Sequence, residues 1–187
     1  VITRNMIEIA TGAAVTLIES HVSTSAATHQ ANTMIEIAVK DGARLAHIKT
    51  TSASGSGQHV STTIVEQSAN STYNAFQMTH SMALVRNQTF VTFKGGGGKG
   101  DLSGVFFARG NEHIDTTLVV YHAVPRCESR ELFKGVLDGR GRGVFQGKVI
   151  VRPDAQKTDG KQMAKVLMLS PDAEFDSKPE LEIYADD

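Results

Sequence analysis

The side chains best suited to bind a metal or act as nucleophiles are seven histidines and one cysteine. The most suggestive grouping joins His122 and Cys127, with His113 slightly upstream. Imidazole and thiolate are ligands that zinc and iron accept. A closed protein site needs about four such ligands, and no His-x-His or His-Glu-x-x-His spacing occurs. We therefore expect this chain to hold no metal, no cofactor and no catalytic residue, and His122 and Cys127 are the candidate ligands should a metal bind.

Two glycine-rich segments superficially resemble phosphate-binding loops. Residues 94–101 read KGGGGKGD and residues 139–143 read GRGRG. A P-loop needs a glycine five residues before its closing Gly-Lys and a Ser or Thr after the lysine. Phe93 and Gly100 occupy those two positions, and a helical pattern follows neither segment. Both segments are predicted to be turns between strands.

An internal repeat indicates which elements must position these side chains. The letters MIEIA at residues 6–10 recur at residues 34–38, and a Gly-Ala turn followed by a second apolar segment comes after each copy. A period of 20–50 residues is typical of stacked solenoids. The 28-residue shift predicts that Ile7 lies beside Ile35 and that Ile9 lies beside Ile37.

The rest of the chain contains short alternating segments separated by turn residues. Such segments also suit a sandwich or barrel, but the repeat favours an all-β, parallel β-helix (solenoid). Residues 131–137 fit either a strand or a helix, and Gly135 favours the strand. The Ser/Thr-rich residues 50–63 fit a loop or polar outward faces of the coils, and we favour the outward faces.

Composition limits the class of partner. The chain has 187 residues, with 19 Lys and Arg against 20 Asp and Glu, so its formal charge is −1. This balance argues against nucleic acid or an anionic membrane as the main partner. No apolar run approaches the roughly 20 residues of a membrane helix. A single cysteine excludes an internal disulfide. We expect one domain over residues 1–187 in a cytoplasmic protein.

The second half of the chain carries recognisable motifs. They read HAVPRCESRELFKGVL at 122–137, RGVFQGKVIV at 142–151, DAQKTDGKQ at 154–162 and KPELEIYADD at 178–187. Together they resemble the SufB/SufD family of the SUF iron–sulfur cluster assembly system, and the SufD branch in particular. The resemblance implies a right-handed parallel β-helix, flanking helices that bind the SufC ATPase, and a SufB–SufD pair joined through the C-terminal coils. It also implies a transient iron–sulfur cluster in the full complex.

In that family a segment with Cys and His follows the Ala-Asp-Asp motif, and this chain stops at Asp187. The chain therefore resembles a β-helical core truncated at both ends relative to the family. The predicted function is a non-catalytic scaffold that pairs with a SufB-like subunit, or with a second copy, through Glu180, Leu181, Glu182, Ile183 and Tyr184. The SufC ATPase would bind helices that are missing here. The alternative is a β-helix polysaccharide lyase or hydrolase, which would need clustered carboxylates along a groove.

Overall fold

A computed structural model describes residues 1–24, 27–53 and 56–186, and its regular structure is entirely β-strand. Gly55, within the Ser/Thr-rich segment, and Asp187 lie outside the described residues. None of the described residues form a helix that could span a membrane. The strands are β1 Ile2–Ile9, β2 Ala14–Ser23, β3 Gln30–Val39, β4 Arg44–Ala53, β5 Gln58–Gln67, β6 Thr72–His80, β7 Leu84–Phe93, β8 Lys99–Ala108, β9 His113–His122, β10 Glu128–Leu137, β11 Arg142–Val151, β12 Asp159–Met168 and β13 Glu174–Ile183.

Consecutive strands lie in different sheets. The odd-numbered strands form one seven-stranded sheet, here the odd sheet, and the even-numbered strands form a six-stranded even sheet. Every pairing is parallel and joins strands of successive coils. The chain is thus a β-solenoid of about six turns, which confirms the parallel β-helix and contradicts the sandwich or barrel. Residues 131–137 belong to β10, so the strand interpretation is confirmed. The right-handed sense stays a prediction.

One corner of the coil is built from left-handed backbone. Each of the six connections from an odd strand to the next even strand contains one residue with positive φ: Gly12, Gly42, Asn70, Gly97, Arg126 and Lys157. These turns stack through the backbone, since Gly42 N–H donates to Ala69 O at 2.9 Å and Asn70 N–H donates to Gly96 O at 3.0 Å. Residues 94–98 are such a corner, and residues 138–141 turn between β10 and β11. Both glycine-rich segments are therefore turns, as predicted.

The predicted register of the repeat is wrong by two residues. Ile7 lies beside Ile37 and Ile9 lies beside Val39, because the first coil is 30 residues long. The next coil has the 28-residue length that the repeated letters suggested, with Met34 beside Thr62. Side chains of a strand alternate between its two faces every second residue. A register shift of two residues therefore leaves the same side chains pointing inward.

The interior differs along the coil axis. Its C-terminal half is packed with aromatic rings, including Phe133 and Phe145, whose centroids are 5.0 Å apart. Its N-terminal half encloses polar groups, because Thr51, Ser61 and Thr63 point inward and are buried. The prediction that the described part of residues 50–63 turns its polar side chains outward is wrong at these positions. Val65 is buried in the hydrophobic core. Because side chains alternate between the two faces of a strand, Ser61 and Thr63 lie on the same inward face as Val65.

Candidate functional site

The last strand, β13, is the C-terminal edge of the odd sheet and pairs only with β11 among the described strands. Leu181 lies beside Val149 and Ile183 beside Val151, so both side chains face the coil interior. No described coil covers them, and they remain 61% and 58% exposed. Within the described residues, the last coil therefore presents apolar core side chains to solvent.

The backbone of β13 defines which groups at this edge need a partner. Tyr184 N–H donates to Val151 O at 2.9 Å and Glu174 N–H donates to Gly141 O at 3.1 Å. Amides alternate in direction along a parallel strand, so the N–H groups of Leu181 and Ile183 point away from β11. Pro179, at the same parity, has no N–H to leave unpaired, which is the edge-strand position that proline tolerates.

Charged side chains on the outer surface of β13 pair within the coil. The Lys148 ammonium lies 3.6 Å from Glu180 and 2.6 Å from Glu182, and the Lys178 ammonium lies 2.5 Å from Glu180. The hydrogen bond from Lys178 holds the pKa of Glu180 below its ordinary value. Both glutamates are therefore compensated locally, and the unsatisfied groups of this edge are apolar or backbone.

The candidate ligands His122 and Cys127 are both buried. The ring of His122 stacks on Phe93 with centroids 4.7 Å apart, and its Nε2 is hydrogen-bonded to Ser129 Oγ at 3.1 Å. Burial lowers the pKa of His122 to about 4. Cys127 Sγ donates to the Gly95 carbonyl at 3.6 Å, and burial raises the pKa of the thiol. Within residues 1–24, 27–53 and 56–186, no group of three or more His, Cys, Asp or Glu is arranged to hold a metal ion.

Glu131 is a buried carboxyl that sequence reasoning missed. Its side chain is 3% exposed, and neither oxygen has a hydrogen-bond partner among the described residues. Burial raises its pKa to about 7. Glu131 lies two residues after Ser129 and two before Phe133, both of which point inward. The alternation of the strand therefore predicts that Glu131 also points inward. A protonated Glu131 is the form that this interior favours.

A second buried group of charges lies in the N-terminal half, around Glu19. The Glu19 carboxylate accepts hydrogen bonds from His21 Nε2 and from His47 Nε2, the latter at 2.9 Å. Burial alone would raise the pKa of Glu19, but these hydrogen bonds and the Lys49 charge lower it well below its ordinary value. Burial lowers the pKa of Lys49 to about 8. Sequence reasoning missed this cluster because its members come from separate coils.

Polar contacts continue from this cluster into later coils. Lys49 Nζ donates to Ser61 Oγ at 2.5 Å, and Ser61 Oγ donates to Asn87 Oδ1 at 2.9 Å. Asn87 Nδ2 then donates to Thr79 Oγ1 at 3.2 Å. The cavity beside Lys49 has a volume of only about 20 Å³, close to that of a single water site. The cavity beside Lys49 is therefore too small for an organic substrate, and the Glu19 carboxylate and the Lys49 ammonium are both hydrogen-bonded.

Comparisons with known proteins agree with the family resemblance of the C-terminal motifs. Residues 1–187 match the family described as SUF system FeS cluster assembly, SufBD core domain. The chain is 32% identical over 184 residues, 98% of its length, to the iron–sulfur cluster assembly protein SufD of Escherichia coli, and spans 44% of that protein.

Two further relatives come from a cyanobacterium and a plant. The chain is 30% identical to an iron–sulfur cluster assembly SufBD family protein of Synechocystis, over 83% of the chain and 34% of the relative. It is also 30% identical to the protein ABCI7, chloroplastic, of Arabidopsis thaliana, over 83% of the chain and 33% of the relative. The chain thus spans less than half the length of these relatives. By its match over every residue and its likeness to SufD, the chain belongs to the SufBD family of the SUF iron–sulfur cluster assembly system.

Proposed function

We propose that the chain is a non-catalytic scaffold of a cytoplasmic SUF assembly complex and pairs through its C-terminal coil with a SufB-like subunit or a second copy. The observation that carries this proposal is the open edge of β13, where Leu181 and Ile183 are exposed and their N–H groups point away from β11. An uncovered parallel edge is a template for strand pairing. The partner's strand would extend the odd sheet beyond β13.

The chemistry of the cysteine supports a shared role in cluster assembly. The chain has one thiol, at Cys127, and it is buried with a raised pKa. Iron–sulfur clusters are generally held by about four thiolate or imidazole ligands. A transient cluster would therefore take most of its ligands from other chains, and none would be held stably here. The SufC-type ATPase would bind family helices that residues 1–187 do not include.

A polysaccharide lyase or hydrolase finds no support in the two carboxylates that face the coil interior. Such enzymes need carboxylates that flank a bound sugar. Glu131 is buried in the coil interior and Glu19 is half-buried, so neither flanks an open groove with a second carboxylate across it. The proposal includes neither a nucleic-acid partner nor a membrane partner.

Co-expression with SufB-type and SufC-type chains tests this function. We expect a stable complex to co-purify with the wild-type protein through several columns. A Leu181→Ser/Ile183→Ser variant should lose the SufB-type subunit, whereas a Leu84→Ser variant, altered at a half-exposed position of β7 on the outer face of the odd sheet, should retain it. Failure of the wild-type protein to retain either chain would contradict the assembly role.

A further inference from the structure

The outer face of the even sheet carries a straight apolar row that crosses every strand. The register aligns one outward residue from each strand, and five of the six are apolar: Ile18, Ile48, Phe76, Ser103, Leu132 and Met163. The five apolar members are between 38% and 70% exposed. A contiguous exposed apolar patch that is rimmed by polar residues is typical of an interaction surface. This apolar row is uncovered in the described chain.

The dimensions of the apolar row fit an α-helix. Neighbouring strands lie about 4.8 Å apart, so six strands place the row over a length of about 24 Å. A helix of about 16 residues has that length, and its apolar stripe repeats every 5.4 Å or so. Two residues before the row, the positions are polar or small, such as Thr16, Ala46 and Asn74, so the surface is bounded on that side.

Positive charge is concentrated at one end of the apolar row. Four cationic residues flank Leu132 and Met163, at the positions two before and two after each of them: Arg130, Lys134, Lys161 and Lys165. These four residues are called the basic end. Lys134 lies directly beside Lys165 in the register, an arrangement that is unfavourable for like charges. Arg130 pairs with Asp159 at 2.5 Å and lies beside Asp101 in the register. Across the described ranges, Lys134, Lys161 and Lys165 enter no ion pair.

The opposite end of the row lacks charge on its immediate margins. Ser20 and Thr50 occupy the positions that correspond to Lys134 and Lys165. Two copies packed face to face would place the basic end against either Ser20 and Thr50 or the partner's own basic end. In the first arrangement the lysines meet no carboxylate, and in the second they meet the second copy's lysines, because its carboxylates Asp101 and Asp159 lie beside Arg130. The occupant must therefore differ in charge from this chain's own face.

We propose that the outer face of the even sheet is a docking surface for an amphipathic α-helix of a partner protein, with its apolar stripe along the row and acidic side chains over the basic end. Burial of the stripe supplies affinity, and the carboxylates relieve the repulsion between Lys134 and Lys165. Charge at one end only also fixes the direction of the helix. This surface is separate from the edge of β13, so the inference is independent of the proposed pairing there.

Two fluorescein-labelled 18-residue helical peptides test the surface by anisotropy at about 50 mM salt. Both carry a leucine stripe; one has four glutamates in its last two turns, and the other has lysines at the same positions. We expect the wild-type protein to bind the glutamate peptide at least about tenfold more tightly than the lysine peptide. Equal affinity for the two peptides, or no binding of either, would overturn the proposal.

Matched variants locate the binding site. Phe76→Ser should weaken binding of the glutamate peptide about three- to tenfold, whereas Phe90→Ser, on the outer face of the odd sheet, should leave it unchanged. Lys134→Glu/Lys165→Glu should reverse the preference between the peptides. Thermal melts verify that each variant is folded. An equal loss in Phe76→Ser and Phe90→Ser would contradict the site, and so would binding to phosphatidylserine vesicles in place of the peptide.

Discussion

Replacement of Leu181 and Ile183 by serine is expected to weaken pairing at β13. The loss of binding free energy can be worked out from the exposed fraction of the two side chains. Complete burial of a leucine or isoleucine is worth roughly 1.5–3 kcal/mol, and the two side chains are 61% and 58% exposed before pairing. Each therefore contributes about 1–2 kcal/mol when a partner covers it, and together they contribute about 2–3.5 kcal/mol. The expected loss in affinity is about 20- to 300-fold, at about 1.4 kcal/mol per decade.

Titration calorimetry with a purified SufB-type subunit measures this loss. Leu84→Ser is the matched control, since it removes a partly exposed leucine from β7, three strands away from β13 in the odd sheet. We expect the control to bind as the wild-type protein does. An unchanged dissociation constant for Leu181→Ser/Ile183→Ser, or an equal loss in the control, would refute the argument that the exposed end of the coil supplies the interface.

Three further predictions concern the interior. A methyl group at Gly135 would lie 2.3 Å from the Phe106 ring, so Gly135→Ala should lower the free energy of unfolding by about 1–3 kcal/mol. Gly160→Ala, whose nearest neighbours lie at 3.5 Å, should be close to neutral in the same denaturant titrations. Burial raises the pKa of Glu131 from 4.5 to about 7. Its protonated form therefore contributes fully to the free energy of unfolding below pH 4.5. This contribution of about 3 kcal/mol is lost as the pH rises from 4.5 to about 7. Glu131→Gln should abolish that share of the pH dependence, and identical wild-type and variant profiles would show that the carboxyl is not desolvated. Cys127 should react with a thiol reagent far more slowly in the native protein than in denaturant, and equal rates would contradict its burial.

The coil architecture was predictable because its signals are local. The MIEIA repeat, the Gly-containing corners and the alternation around Leu181 each specify a strand or a turn within a few residues. The register of the first coil was not predictable, because two extra residues at a corner shift Ile7 without changing which face it occupies.

The polar interior could not be predicted from spacing along the chain. Glu19, His47 and Lys49 meet only after coils stack, and a buried Ser61 has the same local pattern as an exposed one. The family motifs lie in the C-terminal half of the chain and therefore predicted a functional surface only there. They gave no indication of the apolar row, whose members are separated by 27 to 31 residues and align only in the folded sheet.

The most direct test of the account is residue-resolved amide hydrogen exchange by NMR, with and without a SufB-type partner. The N–H groups of Leu181 and Ile183 point away from β11, so they should exchange rapidly in the free protein and become protected in the complex. The N–H of Tyr184, already bonded to Val151, should change much less. A complex that forms while the Leu181 and Ile183 amides continue to exchange at their free rates would contradict pairing through the C-terminal edge.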